Sequence, residues 1–492
     1  MRSRARGTRT ARRPEAFLRT LAATVGVVAF PTIALGFLAL FLVRGKKLSL
    51  TEIVVVPKAL EILSIACAVG LVVWLMVLMN TYLNTRPLRP TSGQRWSGTA
   101  MTMVLGILIT APLATGSYYA FVQRDTLNAI VTNEHTATTP SISKGTHTNP
   151  WGDKKRVNVL LLGGDGGVGR EGIRTDTVIL VSINTRTGKS TMFSLPRNLR
   201  NVPFPEGSPL AAAYPHGFDE CCSPGESMLN AIYRNVPAKH PGILGKSDNE
   251  GADAVKLGVS GALGIPVDYY LLVNLDGFRQ IVQAIGGITV NVNERVAING
   301  ETDRHIPPTG WIEPGPNQHL DGYHALWFTR GRYGSTDYKR MERQRCAIKA
   351  IVQQASPARL LARYTQLAKA SKKILRTDIP QQLLPAFLDS AMKMKSKPLT
   401  SVVFQYSAEF DPNDPDFDTM HAAVQKALYP HKQAAVPAGD ASSSPSASAS
   451  ATASPSDSAT GTADEKTTDA TDTASDCTYQ PVSAAREAST TR

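Results

Sequence analysis

The chain has 492 residues and a formal net charge of +13, and 42% of its residues are apolar. That charge does not mark a nucleic-acid-binding protein, because much of it is Arg2, Arg4, Arg6, Arg9, Arg12, Arg13 and Arg19, set against Glu15 alone. A basic cluster just ahead of an apolar run is a topology signal and an anionic-lipid contact.

Three apolar runs follow, at about 22–43, 62–83 and 100–122. Each is long enough to cross a bilayer, for which about 20 residues suffice. A cleaved signal peptide is the alternative for the first run, but no clear small-residue cleavage site follows it. With the basic tail (1–21) and Arg86, Arg89 and Arg95 facing the cytoplasm, three crossings place everything after Gln123 outside. The chain is thus expected to be a multi-pass protein of the bacterial cell membrane with an extracytoplasmic domain. That location removes ATP, nicotinamide and chromosomal DNA from the ligands to be considered. Cys221, Cys222, Cys346 and Cys477 share the oxidising side, which permits disulfides. A bond between neighbours closes a strained ring, so one of Cys221 and Cys222 is expected to pair with Cys346 or Cys477.

Residues 123–156 read as a tether, and 157–431 as one folded domain. Val157–Leu162 is a buried-strand pattern ending in Gly163-Gly164-Asp165. Thr177–Asn184 and Lys189–Leu195 alternate around Thr185-Arg-Thr-Gly188 as a hairpin. Helical patterns at 226–235, 252–263 and 276–285 interleave with strands at 269–274 and 288–293. Ala325–Thr329 is strand-like, and a long helix runs from Asp337 to about Gln354. Alternating strands and helices predict an α/β domain, a mixed central sheet between helices on both faces. From Lys432 the chain loses its hydrophobic residues, and 432–492 reads as a disordered tail.

Gly164-Asp-Gly-Gly-Val-Gly169 matches a dinucleotide fingerprint, but a β-branched strand follows where the pyrophosphate needs a helix N-terminus. What remains is Asp165 on a glycine-rich loop, with Arg174 and Asp176 two apart in an extended segment and so on one face. Two aspartates brought together by such a turn suit a hard divalent cation. In the plainer alternative Asp165 caps a turn and Arg174 pairs with Asp176. Arg197 follows a strand directly, Arg330 and Arg332 are two apart, and Arg340, Arg343 and Gln344 have the i, i+3, i+4 spacing of one helix face. Arginine at several strand ends beside two aspartates points to a pyrophosphate cradle, since its planar fork donates bidentately.

At these residues the chain resembles the LytR-CpsA-Psr family of envelope enzymes. The resemblance covers about 157–355 and is carried by Gly164-Asp165, Arg174-Thr-Asp176-Thr177, Ser194-Leu-Pro-Arg197, Gly264-Ile-Pro-Val-Asp-Tyr-Tyr270, Val273-Asn-Leu-Asp-Gly-Phe278, Gly286-Gly287, Leu320-Asp-Gly-Tyr-His-Ala325, Arg330-Gly-Arg332 and Arg340-Met-Glu-Arg-Gln344. It implies an α/β/α domain that holds a polyprenyl pyrophosphate tail in an apolar pocket. It implies Mg²⁺ or Mn²⁺ at Asp165 and Asp176, and phosphate contacts by Arg174, Arg197, Arg330, Arg332, Arg340 and Gln344. The implied reaction is transfer of a phosphate-linked glycopolymer from the carrier to a peptidoglycan sugar hydroxyl, with Asp165, Asp176 and Arg174 as the catalytic residues. The chain departs from the family in having Asn198 after Pro-Arg and Gln283 before the Gly-Gly turn, where Asp is usual. A polyprenyl-pyrophosphate hydrolase and a non-catalytic envelope regulator remain as alternatives; no nucleic-acid partner is expected.

Overall fold

The computed structural model describes residues 57–85, 92–130, 136–140, 145, 149–164, 174–219, 223–302, 305–354, 375–430, 471–472 and 477–480. The first apolar run (22–43), Asp165, Cys221 and Cys222 lie outside these residues. The chain divides into two compact units, residues 1–129 and 130–492.

In the first unit, α1 (Pro57–Thr85) and α2 (Ser92–Ile130) contain the second and third apolar runs. Their apolar stretches, Pro57–Asn80 and Thr102–Asn128, are 24 and 27 residues long, enough to cross a membrane. Ile65, Val69, Met76, Met79, Met103, Ile107 and Leu108 all stand exposed on them, a surface that lipid tolerates and water does not. Where the helices touch, Ser64 Oγ donates to the Ser117 carbonyl (3.2 Å) and Ser117 Oγ to the Ser64 carbonyl (3.1 Å). Reciprocal small-polar contacts of this kind join helices that have no hydrophobic drive to associate in lipid. Because α2 continues to Ile130, the expected tether begins as helix.

The second unit is built on β1 (Arg156–Gly164), β2 (Thr175–Asn184), β3 (Ser190–Leu195), β4 (Tyr269–Asn274), β9 (Leu375–Thr377), β10 (Leu399–Val403) and β11 (Thr471–Asp472). They form one sheet in the order β11-β10-β3-β2-β1-β4-β9. β1 runs antiparallel to β2 and parallel to β4, so the sheet is mixed, as the interleaved pattern predicts. Both faces of β1 to β3 are buried. Leu160, Leu180 and Phe193 pack in one core with side chains of α3 (Leu229–Lys239), α4 (Glu250–Leu263) and α9 (Phe417–Leu428). Val159, Val181 and Met192 point the other way, to the side of α7 (Asp337–Gln354) and α8 (Leu384–Lys395). A separate core joins α5 (Leu275–Ile285), β5 (Ile288–Val292), β6 (Val296–Ile298), β7 (Gly310–Ile312), β8 (Gly315–Leu320), α6 (Gly322–Arg330) and α7. Two-stranded pairs β5–β8 and β6–β7 complete the lobe.

Local signals explain the helix ends. Asn249 and Asn274 cap α4 and α5 by accepting from Ala252 N and Gly277 N, while Gly264 and Gly286 close them in the left-handed region. Gln283 accepts from the Gly322 amide (3.1 Å), which ties α5 to the start of α6.

Three expectations require correction. Ala325–Thr329 is helix, not strand: Asp321 accepts from the His324 amide (2.9 Å) and starts α6, which buries Ala325 and Phe328 on one face. The expected tether is partly docked, since Thr138 Oγ1 lies on Asp253, Lys256 donates to Thr138 (3.1 Å), and Trp151 packs edge-to-face on Phe387. Cys346 and Cys477 are bonded to each other, so neither makes the expected pair with Cys221 or Cys222. The tail thus returns to the domain at its described residues. β11 adds to the edge of β10, and Asn291 and Asn293 donate to the carbonyls of Cys477 (2.9 Å) and Thr478 (3.2 Å).

Non-reducing peptide mapping is therefore expected to recover a Cys346–Cys477 linked peptide. Because the bridge joins residues 131 apart in sequence, Cys477→Ser is expected to lower stability by about 2–5 kcal/mol in denaturant melts. A Cys477→Ser protein as stable as wild type would remove the tail from the fold's supports.

Candidate functional site

A cavity of about 1470 Å³ lies in the second unit, larger than the roughly 300–1,000 Å³ of ordinary small-molecule sites. Its wall is apolar. Val159, Leu161, Val181 and Met192 come from the sheet, Ile348 and Ile351 from α7, and Phe387 and Met394 from α8. At the mouth the lining changes to Asp176, Thr177, Arg197, Arg330, Arg332, Asp337, Arg340 and Gln344. Six of the eight residues to which the resemblance assigns metal or phosphate contacts therefore converge on one cavity. They come from the start of β2, the residue pair after β3, the end of α6 and the first two turns of α7.

The mouth is held together by two carboxylates. Arg197 Nη1 donates to Asp176 Oδ1 (2.8 Å), and its Nε stands 3.6 Å from Asp337 Oδ1. Arg340 Nη2 donates to Asp337 Oδ2 (3.0 Å) and to the backbone carbonyl of Asp176 (2.9 Å). Arg332 Nη1 lies 3.7 Å from Asp337 Oδ1. Arg330 stacks over Trp327, its guanidinium carbon 5.2 Å from the ring centroid. Gln344 donates to Thr177 Oγ1 (2.9 Å) and the Thr329 carbonyl (3.2 Å), joining β2, α6 and α7. The tight β1–β2 contact requires Gly163, where an added Cβ would sit 2.8 Å from the Thr177 side chain.

These contacts set the charges. Burial works to raise the pKa of Asp176, but the charge and hydrogen bond of Arg197, with help from Arg340 and Asn230, hold it below the usual carboxylate range. Burial pulls Arg340 down to about 10 against the support of Asp337, so it stays a cation at neutral pH. Arg343 is likewise lowered to about 10 by burial. It serves structure instead, donating to the Phe328 carbonyl (2.7 Å) and to the Gly331 carbonyl, which fixes the arginine-bearing turn.

Arg174 is not at the mouth. It pairs with Glu226, which also holds Arg234, although the two-residue spacing places Arg174 and Asp176 on one face of an extended strand. β2 begins only at Thr175, so alternation does not reach Arg174. Asp165 follows directly on Gly164, the last residue of β1, and lies outside the described residues.

Asp337 is the functional residue the sequence reading passed over. Its signal was available: an acid three residues before Arg340 and seven before Gln344, hence on the same helix face. It reads equally well as the acidic start of a helix. Asn230 was also missed; it donates to Asp176 Oδ1 (3.4 Å) from α3, and no local pattern links it to β2.

Among the described residues no group of three or more His, Cys, Asp or Glu side chains is placed to hold a metal ion, and Asp176 is the one sequence-predicted ligand they include. Asp176 is ionised, and both side-chain hydrogen bonds to it fall on Oδ1, with none on Oδ2 among the described residues. One carboxylate oxygen is within what Mg²⁺ takes from protein when phosphate and water supply the rest. The arginine forks around it match phosphate oxygens. Inorganic pyrophosphate is accordingly expected to bind, and Arg340→Ala to weaken it at least tenfold by calorimetry, since a charge-assisted hydrogen bond is typically worth about 1.5–3 kcal/mol. Arg340→Lys is expected to recover only part, because an ammonium lacks the fork. Full recovery by lysine would contradict that geometry.

The family model described as the LytR_cpsA_psr family matches residues 118–432. The chain is similar to the "Biofilm regulatory protein A" of Streptococcus mutans, 27% identical over 305 residues, covering 60% of this chain and 67% of that protein. It is also similar to proteins named "Polyisoprenyl-teichoic acid--peptidoglycan teichoic acid transferase TagU". That of Bacillus cereus is 29% identical, covering 49% of this chain and 66% of that protein; that of Enterococcus faecalis is 27% identical, covering 56% and 78%. Among solved structures, B. subtilis TagV aligns over 56% of this chain and 98% of its own, at 24% identity and a TM-score of 0.38. With the family model spanning more than half of its length, the chain belongs to the LytR_cpsA_psr family.

Proposed function

We propose that this protein transfers a phosphate-linked anionic glycopolymer from a polyprenyl-pyrophosphate carrier to a peptidoglycan sugar hydroxyl outside the cell membrane. One observation carries the reading: a large, mainly apolar cavity also has Arg197, Arg330, Arg332, Arg340 and Gln344 in its lining. An apolar chain ending in a pyrophosphate matches both parts at once. The names of the teichoic acid transferases to which the chain is similar support the same reaction class. The two apolar helices α1 and α2 support a membrane anchor, which keeps the domain near a lipid-borne substrate.

In this mechanism the carrier chain occupies the cavity and the pyrophosphate lies among the arginines. The oxygen of the acceptor hydroxyl attacks the phosphorus that bears the glycopolymer. The new phosphorus–oxygen bond forms as the bond to the carrier's bridging oxygen breaks, the hydroxyl proton is released, and polyprenyl phosphate departs. Positioning and charge neutralisation supply most catalysis in phosphoryl transfer, so no protein nucleophile is needed. Arg340 and Arg197 would hold the phosphate oxygens, while Gln344 keeps β2 and α7 in register beneath them. A Mg²⁺ or Mn²⁺ held by Asp176, with Asp165 as the second carboxylate, would neutralise charge on the leaving phosphate. Arg174, paired with Glu226 in this structure, would serve the phosphate only after exchanging that partner.

Asp176→Asn and Asp165→Asn are each expected to abolish metal-dependent transfer from a lipid-linked donor to peptidoglycan, with folding of each variant checked by circular dichroism because Asp176→Asn also breaks the ion pair with Arg197. A folded double variant with wild-type transfer would refute the metal-assisted mechanism, and release of free glycopolymer phosphate without transfer would favour hydrolysis. Reporter fusions after Gln123 are expected to score extracytoplasmic and fusions at Arg89 cytoplasmic. A cytoplasmic signal at residue 150 would exclude a wall acceptor.

A further inference from the structure

Helix α6 carries a ridge that ends at the arginine rim. Tyr323, Trp327 and Arg330 stand four and three residues apart and so share one helix face. Trp327 and Arg330 line the cavity mouth, with the guanidinium carbon 5.2 Å from the indole centroid. Tyr323 continues the ridge outward, its ring centroid 6.5 Å from that of Trp327 at an interplanar angle of 69°. Aromatic side chains at helical spacing are ordinarily core; on α6 Ala325 and Phe328 are buried, at 0% and 2% exposure, and Trp327 is only partly buried against the same core. Tyr323 is 41% exposed. The ridge therefore runs from the phosphate-binding rim into solvent.

A surface of this composition suits a pyranose ring. The carbon-bound hydrogens on one face of a sugar are slightly electropositive and meet the electron-rich face of an aromatic ring. The sugar hydroxyls need polar partners, and the neighbouring helix α5 carries polar side chains. Its exposed Asp276 accepts from Arg279 (2.7 Å) and Gln280 (2.6 Å), and it packs on α6 where Gly322 meets the Arg279 carbonyl. Continuity with the rim decides the order: phosphate at Arg330, the first sugar at Trp327, the next at Tyr323.

We propose that Tyr323 and Trp327 form a saccharide subsite that takes the sugars attached to the phosphate of the lipid-linked donor. The proposal rests on the transferase reading and adds to it the residues that recognise the glycan part of the substrate.

The test uses full-length protein in detergent and three probes: a polyprenyl pyrophosphate, the same lipid bearing a phosphate-linked disaccharide, and a soluble peptidoglycan fragment. Wild type is expected to bind the sugar-bearing lipid more tightly than the bare one. Tyr323→Ala is expected to weaken the sugar-bearing lipid roughly 2- to 10-fold, the scale of one aromatic contact, and to leave the bare lipid unchanged. Tyr323→Phe, which keeps the ring, is expected to retain the preference. Equal wild-type affinity for both lipids would overturn the subsite while the transferase reading stood. A loss confined to the peptidoglycan fragment would overturn the donor assignment. Binding of neither lipid would overturn the transferase reading and the subsite with it.

Discussion

Two aspartates make the arginine mouth possible. Arg197, Arg332 and Arg340 are all within 4 Å of Asp337, and Arg197 also sits on Asp176. Unit charges at that separation interact by about 4 kcal/mol at the effective dielectric of a protein surface. Three unshielded cations would instead repel one another and, with them, the ends of β3, α6 and α7 that carry them. The carboxylates hold the forks in place, so the proposed pyrophosphate would be spared the cost of ordering them. The same contacts keep Asp176 ionised despite its burial, as its depressed pKa records.

The apolar cavity plays a different energetic part. Burying a methylene from water is worth about 0.8 kcal/mol, but the polyprenyl tail of the proposed donor would leave lipid, where it is already away from water. Moving it into a cavity lined by Leu161, Val181, Met192, Phe387 and Met394 exchanges one apolar surroundings for another. Such a cavity makes extraction from the membrane tolerable without making it strongly favourable. Selection then falls to the head group, where the charge-assisted contacts are.

Helix α7 couples the parts. Asp337, Arg340 and Gln344 face the mouth, Ile348 and Ile351 line the cavity, and Ala347 and Ala350 pack in the second core. Cys346, between Gln344 and Ile348, receives the returning tail. A shift of this helix would alter the arginine mouth, the cavity wall and the core packing together. Its bridge to Cys477 and the bonds from Arg343 to the Phe328 and Gly331 carbonyls oppose that shift.

Much of the scaffold was legible from local pattern. Period-two alternation placed the β2–β3 hairpin, the run ending at Gly163-Gly164 placed β1, and helical patterns placed α4 and α5. The arginines and Asp176 were found because few residue types bind phosphate and their spacing fits strand ends and one helix face. The residues that tertiary structure alone assigned are those whose role depends on a distant partner. Asp337 reads as a helix start until Arg197 and Arg332 are brought to it, and Asn230 has no tie to Asp176 before α3 packs beneath β2. Arg174 matches the pattern and is drawn aside by Glu226, 52 residues away in sequence. The cavity-lining side chains look like any core residues, because periodicity records that a side chain is apolar and not whether protein or ligand covers it. The Cys346–Cys477 bridge belongs to the same class, for pairing depends on proximity in space, which cysteine counts do not contain.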